Sequence, residues 1–164
     1  MKFVAVIFNV KIFFPIGKGV NLDRHTKNKE LISALRMAMY DFSESSVRKV
    51  LDRLFISETV LRLCYPLGEK VGVDNFYMDV FAPLLWALPD LERRDTIVMA
   101  GPTQESADWV GCCGYYTGTF SKAWLDIPPT GHQVAMRFHE FYRFEDDRVV
   151  EVQALWDIPE VMMQ

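Results

Sequence analysis

The chain has 164 residues, of which 50% are hydrophobic, 13% aromatic and 24% charged, and this is typical of one globular domain with its own core. The net charge of −4, without a long Lys/Arg cluster, argues against a nucleic-acid-binding surface. The three cysteines form no CxxC pair and have no His at ligand spacing, which indicates neither a disulfide framework nor a zinc site. Reduced thiols favour a cytoplasmic protein.

The N-terminal apolar run, residues 1–20, is interrupted by polar residues, by Pro15 and by Gly17. It is too short and too interrupted for a membrane-spanning helix, and it lacks the small-residue cleavage site of a secretion signal. We interpret residues 1–25 as an N-terminal extension or extra strand, with a secretion signal as the alternative. Residues 26–164 are then the main domain.

Helical spacing of apolar residues predicts several helices in the first half of this domain. Residues 30–40 form one helix, and a second begins after a break at which Ser43 or Ser45 can act as the N-cap. Residues 73–90 predict a further helix that is kinked or restarted near Pro83.

Strands dominate the second half of the sequence. Alternating apolar residues, β-branched and aromatic side chains and turn residues predict strands at 58–68, 95–103, 108–120, 131–144 and 147–157. Helices first and strands last predict an α+β fold, in which an antiparallel sheet curls around the helices.

The last two strands carry a polar cluster. If Asp146 and Asp147 form a two-residue turn, Glu140 pairs with Gln153. One face of the hairpin then places polar side chains among apolar ones: Glu140, Tyr142, Glu151, Gln153 and Asp157. A carboxyl group in an apolar wall ordinarily has a raised pKa, which suits general acid–base catalysis on a carbon acid. The alternative is that this face meets solvent and its carboxylates are ordinary surface residues.

The same alternation places His139 on the opposite face from Glu140, so we do not expect His139 to assist it. Arg137 would lie over Trp156 on that outer face and form a cation–π contact, which fits a dimer interface or a partner site.

The segment "FSKAWLDIPPTGHQVAMRFHEFYRFEDDRVVEVQALWD", residues 120–157, resembles the C-terminal half of SnoaL-like polyketide cyclases in the NTF2-like superfamily. The resemblance includes the loop at 126–131, an acid three residues before Arg143, and a closing segment that contains Glu151 and Asp157. It extends over about residues 28–160.

This resemblance implies an NTF2-like (cystatin-like) α+β barrel with a conical hydrophobic cavity, usually in a homodimer, that holds an apolar or aromatic small molecule. In the cyclases an aspartate acts as acid and base in an aldol ring closure without metal or cofactor. The corresponding residue here is Glu140, whose side chain is one methylene longer.

Our leading hypothesis is therefore a small cofactor-independent enzyme of aldol cyclase or isomerase type that acts on an apolar, carbonyl-bearing substrate. Glu140 would transfer the proton and Gln153 would orient it. The candidate substrate-binding residues are Tyr142, Phe138, Trp86, Trp109, Phe120 and Glu151.

Two alternatives share the same scaffold. One is a non-catalytic protein that binds a small ligand. The other is an enzyme of epoxide hydrolase or dehydratase type, with Asp157 or Glu151 as the water-activating partner. A single buried carboxyl group would favour the cyclase or isomerase type, and an enclosed pocket with two carboxyl groups around one water would favour the hydrolase. A filled core without a pocket would favour a structural or interaction role.

Overall fold

The computed structural model of the chain describes residues 4–7, 10–13, 22–103 and 107–164. Strands β1 (Val4–Ile7) and β2 (Val10–Phe13) pair antiparallel within the predicted extension, and the rest of residues 1–21 lies outside the described residues. The domain boundary at residue 26 stays a prediction. No helix in the described ranges is long and apolar enough to cross a membrane.

Two helices precede the main sheet: α1 (Leu22–Tyr40) and α2 (Glu44–Leu54). Helix α1 begins eight residues before the predicted start, because its polar first turns contain neither Pro nor Gly and are mostly exposed to solvent. Ser43, one of the two predicted N-cap residues, occupies the N-cap of α2 with extended backbone angles, although its side chain makes no capping hydrogen bond. The apolar stripe of α2 buries Val47, Leu51 and Leu54 against the core.

The third helical segment comprises α3 (Val73–Phe76), one π-helical turn (Tyr77–Phe81) and α4 (Ala82–Ala87). Pro83 has no N–H to donate to the carbonyl four residues earlier, and the widened turn directly precedes α4. The predicted interruption near Pro83 is confirmed. A short helix α5 (Ile158–Met162) follows the last strand, where the sequence pattern predicted none.

Six strands form the main sheet in the order β4-β3-β8-β7-β6-β5. Their bounds are Phe55–Leu63 for β3, Glu69–Val71 for β4, Glu92–Pro102 for β5, Asp108–Thr119 for β6, Gln133–Glu145 for β7 and Arg148–Trp156 for β8. Strands β3 and β8 pair parallel and the other neighbours pair antiparallel. The sheet is curved, with helices on its inner face, so the α+β fold is confirmed.

The β7–β8 turn is the predicted one, since Asp146 and Asp147 both have positive φ, at 45° and 66°. The predicted register beyond it is wrong. Val149 pairs with Phe144, but the next pair joins Glu151 to Arg143, so β8 contains an extra residue at this point. Such a β-bulge shifts all later pairs by one residue.

Glu140 therefore pairs with Ala154 instead of Gln153, and Phe138 pairs with Trp156. Because a shift of one residue exchanges the two faces of a strand, Trp156 lies on the inner face and Gln153 on the outer face. The predicted contact between Arg137 and Trp156 is consequently wrong as well. The Arg137 guanidinium instead lies 5.7 Å from the ring centre of Tyr115.

Candidate functional site

Glu140 is the centre of a polar cluster on the inner face of the sheet. It lies in the middle of β7, and its side chain is completely buried. His139 points to the other face, where its Nδ1 lies 3.1 Å from the Cys113 Sγ. The predicted separation of these two side chains is therefore confirmed.

Four donors hold the Glu140 carboxylate. Trp156 Nε1 and Tyr116 Oη donate to Oε1 at 2.8 and 2.9 Å. Arg93 Nη1 donates to Oε2 at 2.6 Å, and Tyr142 Oη donates to the same oxygen. Charge-assisted bonds of this number offset the cost of removing a carboxylate from water.

Arg93 is the counter-ion, and it is as completely buried as Glu140. Its Nε and Nη2 donate to Asp95 at 3.1 Å each, while its guanidinium carbon lies 4.3 Å from the ring centre of Phe138. Burial alone would lower the pKa of Arg93, but the charges of Glu140 and Asp95 around it raise that pKa well above its ordinary value. Arg93 thus stays cationic and bridges two carboxylates.

Asp95 connects this buried pair to the surface. Its side chain is only 4% exposed, and its second ion pair is with Arg36 of helix α1, at 3.0 Å between Nε and Oδ2. A surface pocket of about 350 Å³ opens at this point between α1 and β5, with a lining of Ser33, Arg36, Met37, Tyr40, Arg93, Arg94 and Asp95. The ion pairs therefore run from a solvent-facing arginine to the buried carboxylate.

Arg93 and Asp95 lie on the same side of β5 because they are two residues apart in a regular part of the strand. Both precede a β-bulge between Asp95 and Ile97, at which β5 approaches β6 closely. A Cβ atom on Gly114 of β6 would lie 2.0 Å from the Arg94 carbonyl oxygen, so only glycine permits this approach.

Aromatic rings surround the polar cluster. Tyr116 packs against Phe138 and Trp156, with ring centres 4.8 and 5.2 Å apart. Phe81 lies over Trp156 and Phe55 over Tyr142, at 6.0 and 6.2 Å. Burial raises the pKa of both Tyr116 and Tyr142 well above the ordinary value, so both phenols remain protonated donors.

Two predicted substrate-binding residues are part of this cluster, namely Tyr142 and Phe138, and Phe120 is buried in the same core. Trp86 is not: it is 64% exposed, with the Lys122 ammonium 3.5 Å above its ring. Trp109 packs with Phe141 in a separate small cluster on the outer face.

The predicted grouping of Glu151 and Gln153 with Glu140 is wrong, because the bulge in β8 turns both to the outer face. There the Gln153 amide donates to Glu151 at 2.9 Å, and Arg143 donates to it at 3.0 Å. Arg62 forms a further ion pair with Glu151. Burial would raise the pKa of Glu151, but these donors and charges lower it overall.

Asp157 follows the end of β8, and its backbone N–H donates to the Arg137 carbonyl at 2.8 Å. Its neighbour Trp156 points inward, so Asp157 is not one of the groups that hold Glu140. Among the described residues, no group of three or more His, Cys, Asp and Glu side chains could hold a metal ion.

Four residues of the cluster were missed by sequence reasoning: Arg93, Asp95, Tyr116 and Trp156. The predicted strand begins at Asp95 and leaves out residues 92–94, although extending its alternation back to Leu91 puts Arg93 on the same side as Asp95. Tyr116 falls in phase with the apolar positions of β6 and could have been found in the same way. Trp156 required knowledge of the bulge.

Comparison with known proteins agrees with this architecture. A family model described as SnoaL-like polyketide cyclase matches residues 33–164. A candidate SnoaL-like polyketide cyclase from Jannaschia sp. CCS1 is 20% identical, with a TM-score of 0.74 and coverage of 90% of this chain and 96% of that one. None of the curated proteins matches.

Two Streptomyces structures have the same fold. IdmH from Streptomyces antibioticus, a candidate polyketide cyclase, is 20% identical with a TM-score of 0.68, over 83% of this chain and 96% of that chain. AclR from Streptomyces galilaeus, a candidate hydroxylase, is 22% identical with a TM-score of 0.69, over 85% and 80%. At these identities the likeness is one of fold, on which different chemistries occur.

Proposed function

Because the chain belongs to the SnoaL-like polyketide cyclase family, we propose that it is a small enzyme that transfers a proton at Glu140. Its substrate would be an apolar, carbonyl-bearing small molecule, and the reaction an aldol cyclisation or an isomerisation that needs no metal or cofactor. The observation that carries the proposal is the completely buried Glu140 carboxylate, with four donors in an aromatic shell.

Glu140 as base would remove a proton from the carbon next to the substrate carbonyl, so that negative charge develops on the carbonyl oxygen. A carboxylate that accepts this proton becomes a weaker acceptor. The phenols of Tyr116 and Tyr142, which now donate to it, are then free to donate to the enolate oxygen. The donors that stabilise the base before the reaction are thus available to stabilise the intermediate.

The position of the other carboxylates favours this reaction type over the hydrolase. Glu151 lies on the opposite face of the sheet and is held by Arg62, Arg143 and Gln153. A hydrolase of the type considered above would need a second carboxylate at the same water as Glu140. Proton transfer at Glu140 needs no second carboxylate, and Arg93 separates Glu140 from the nearby Asp95.

The test measures proton exchange at carbon directly. We expect the protein to catalyse hydrogen–deuterium exchange next to the carbonyl of an aromatic model ketone in D₂O, as followed by NMR. Removing a positioned base typically costs about 10²–10⁴-fold in rate, so Glu140→Gln should lose about that much. Glu151→Gln is the matched control on the outer face and should keep the rate. Equal exchange by wild type and Glu140→Gln would contradict the proposal.

A second candidate function is ligand binding without chemistry. It is favoured by the saturation of Glu140 with donors, which is also what a purely structural buried ion pair requires. Native mass spectrometry of the purified protein would detect a bound apolar molecule. A ligand that is retained equally by wild type and Glu140→Gln, and that neither converts, would favour this function.

We propose that the protein forms a homodimer, as the resemblance implies. The outer face of the sheet exposes Ile97 and Leu155 beside the buried Trp109 and Phe141, and this apolar surface could pair two copies. Light scattering during size-exclusion chromatography would measure the mass, and a monomeric mass would contradict it.

A further inference from the structure

The buried carboxylate is the last member of a row of four alternating charges. Arg36 pairs with Asp95, Asp95 with Arg93, and Arg93 with Glu140. Exposure decreases along the row: the Arg36 side chain is 30% exposed, that of Asp95 4%, and those of Arg93 and Glu140 are fully buried. The row is electrically neutral as a whole.

We infer that Asp95 is a positioning residue that lets Glu140 take up a proton, because it shares the charge of Arg93. This inference rests on the proposed function and adds a residue to it. An arginine that faced Glu140 alone would hold the carboxylate in its ionised form and make it a poor base. With Asp95 on its other side, Arg93 remains a paired cation even after Glu140 becomes neutral. Proton uptake therefore leaves no unpaired charge in the core.

The hydrogen bonds of Arg93 match this division of its charge. Nε and Nη2 donate to Asp95, at 3.1 Å each, and Nη1 donates to Glu140 at 2.6 Å. The two carboxylates therefore occupy different edges of one guanidinium and do not compete for the same N–H. Nη1 also lies 3.2 Å from both phenol oxygens, so it keeps acceptors of its own when Glu140 is protonated.

Other titratable groups also face Glu140, and they constrain the test. In the described part of the chain they are Tyr116 and Cys112 of β6, Tyr142 of β7, Cys64 after β3, and Arg93 and Asp95 of β5, with Arg36 of α1 behind Asp95. The phenols and the buried thiols stay neutral at neutral and acidic pH, since burial raises the pKa of each of them. The charges that vary between variants are therefore those of the row itself.

An alternating row predicts effects of alternating sign on the protonation midpoint of Glu140. Asp95→Asn removes a negative charge and should move that midpoint to lower pH. Arg36→Gln removes the partner of Asp95, which then attracts Arg93 more strongly. This variant should move the midpoint to higher pH by a smaller amount. Glu92→Gln, whose partner is the exposed Arg94, is the control and should leave it unchanged.

The measurement is carbon-13 NMR of the Glu140 side-chain carboxyl as a function of pH, assigned with Glu140→Gln. Opposite shifts for Asp95→Asn and Arg36→Gln support the inference. Equal midpoints in all proteins would overturn it, as would a wild-type carboxyl that stays ionised down to acid unfolding. Should Asp95→Asn not fold, the sign of the Arg36→Gln shift decides.

Because this titration needs no substrate, it tests the role of Asp95 separately from the proposed function. If the NMR midpoints shift as expected but Glu140→Gln does not slow proton exchange, the proposed enzymatic function is contradicted and the role of Asp95 is supported. If Glu140→Gln abolishes exchange but the midpoints do not shift, the enzymatic function is supported and the role of Asp95 is contradicted. If both hold, the pH profile of exchange should move with the NMR midpoint in Asp95→Asn, and Asp95→Glu should restore part of the wild-type profile.

Discussion

At the scale of single residues, Arg93 and Glu140 are stable in the core only as a pair. Each would cost several kcal/mol to bury alone as an ion, and each is completely buried here. The phenols and the indole complete the hydrogen bonds that the pair leaves open. Arg93 and Glu140 are far apart in the sequence, yet the burial of each depends more on the other than on its sequence neighbours.

We predict that Arg93→Met destabilises the protein by about 3–5 kcal/mol, because it leaves the Glu140 carboxylate without a counter-ion. The double variant Arg93→Met with Glu140→Met should recover part of this loss, since an apolar pair replaces the ions. Urea unfolding of the two single variants and the double variant measures the coupling free energy. Additive losses would contradict the interdependence of the two side chains.

At the scale of elements, two β-bulges decide which side chains meet. The bulge in β5 follows Asp95, and the bulge in β8 lies beside Val150. The first lets Val98 and Ala100 face the core on the same side as Arg93 and Asp95, and the second brings Trp156 into contact with Glu140. Without them, the same sequence would present a different set of polar groups to the core.

We predict that Gly114→Ala destabilises the protein by at least about 1–3 kcal/mol, because its Cβ would overlap the Arg94 carbonyl and push β5 away from β6. Thermal unfolding followed by circular dichroism measures the loss. Gly111→Ala is a matched control on the same strand, whose Cβ would meet only side chains of Phe141 and Met99, at 3.0 and 3.3 Å. A smaller loss for Gly114→Ala than for Gly111→Ala would contradict the explanation.

Features of the fold that depend on local sequence patterns could be predicted from the sequence, and features that depend on strand register could not. Periodicity predicted the α+β order, the helix beginning after Ser43, the interruption near Pro83 and the inward direction of Glu140, because each of these is local. The partners of Glu140 depend on the register of β8, which a bulge shifts by one residue. A register counted without interruption from the turn at Asp146 and Asp147 therefore predicted Gln153 opposite Glu140, where the structure has Ala154.

At the scale of the whole molecule, the two faces of the sheet carry different electrostatics. The inner face holds one neutralised row of charges within an aromatic core, and the outer face holds Glu151 with two arginines. The pKa of Glu151 on the outer face is lowered, whereas burial raises the pKa values of Tyr116 and Tyr142 on the inner face. These shifts make stability depend on pH at both ends of the scale.

We predict that Glu151 contributes to acid unfolding. Its native pKa lies below the value of 4.5 for a free side chain, so its stabilising effect is complete above about pH 4.5 and is lost as pH falls toward the native pKa. Glu151→Gln should therefore flatten the decline of unfolding free energy in this range. Glu145→Gln, which changes an exposed partner of Arg143, is the control. Identical acid limbs in wild type and Glu151→Gln would contradict the assignment.

We predict that the unfolding free energy falls as pH rises in the alkaline range, opposite to its dependence on pH in acid. Tyr116 and Tyr142 have pKa values raised well above 10.0 by burial, so the folded state keeps their protons while the unfolded state releases them. Their contribution is complete below about pH 10 and is lost above it. Stopped-flow absorbance of tyrosinate after a jump to high pH should contain a slow phase at the rate of unfolding. Tyr116→Phe with Tyr142→Phe should reduce the amplitude of that phase, and the buried Tyr77, whose pKa is also raised by burial, should supply the remainder.

The hydrogen bond from the Trp156 indole to Glu140 also makes Trp156 a fluorescent probe of the polar cluster. An indole whose N–H points at a carboxylate changes its emission when that carboxylate is neutralised or when a molecule separates the two. Trp86, the most exposed tryptophan among the described residues, can be replaced by Phe to reduce the background. The change in fluorescence would then report the entry of a ligand beside Trp156 within a single mixing experiment, and libraries of unlabelled compounds could be screened for ligands without a chemical assay.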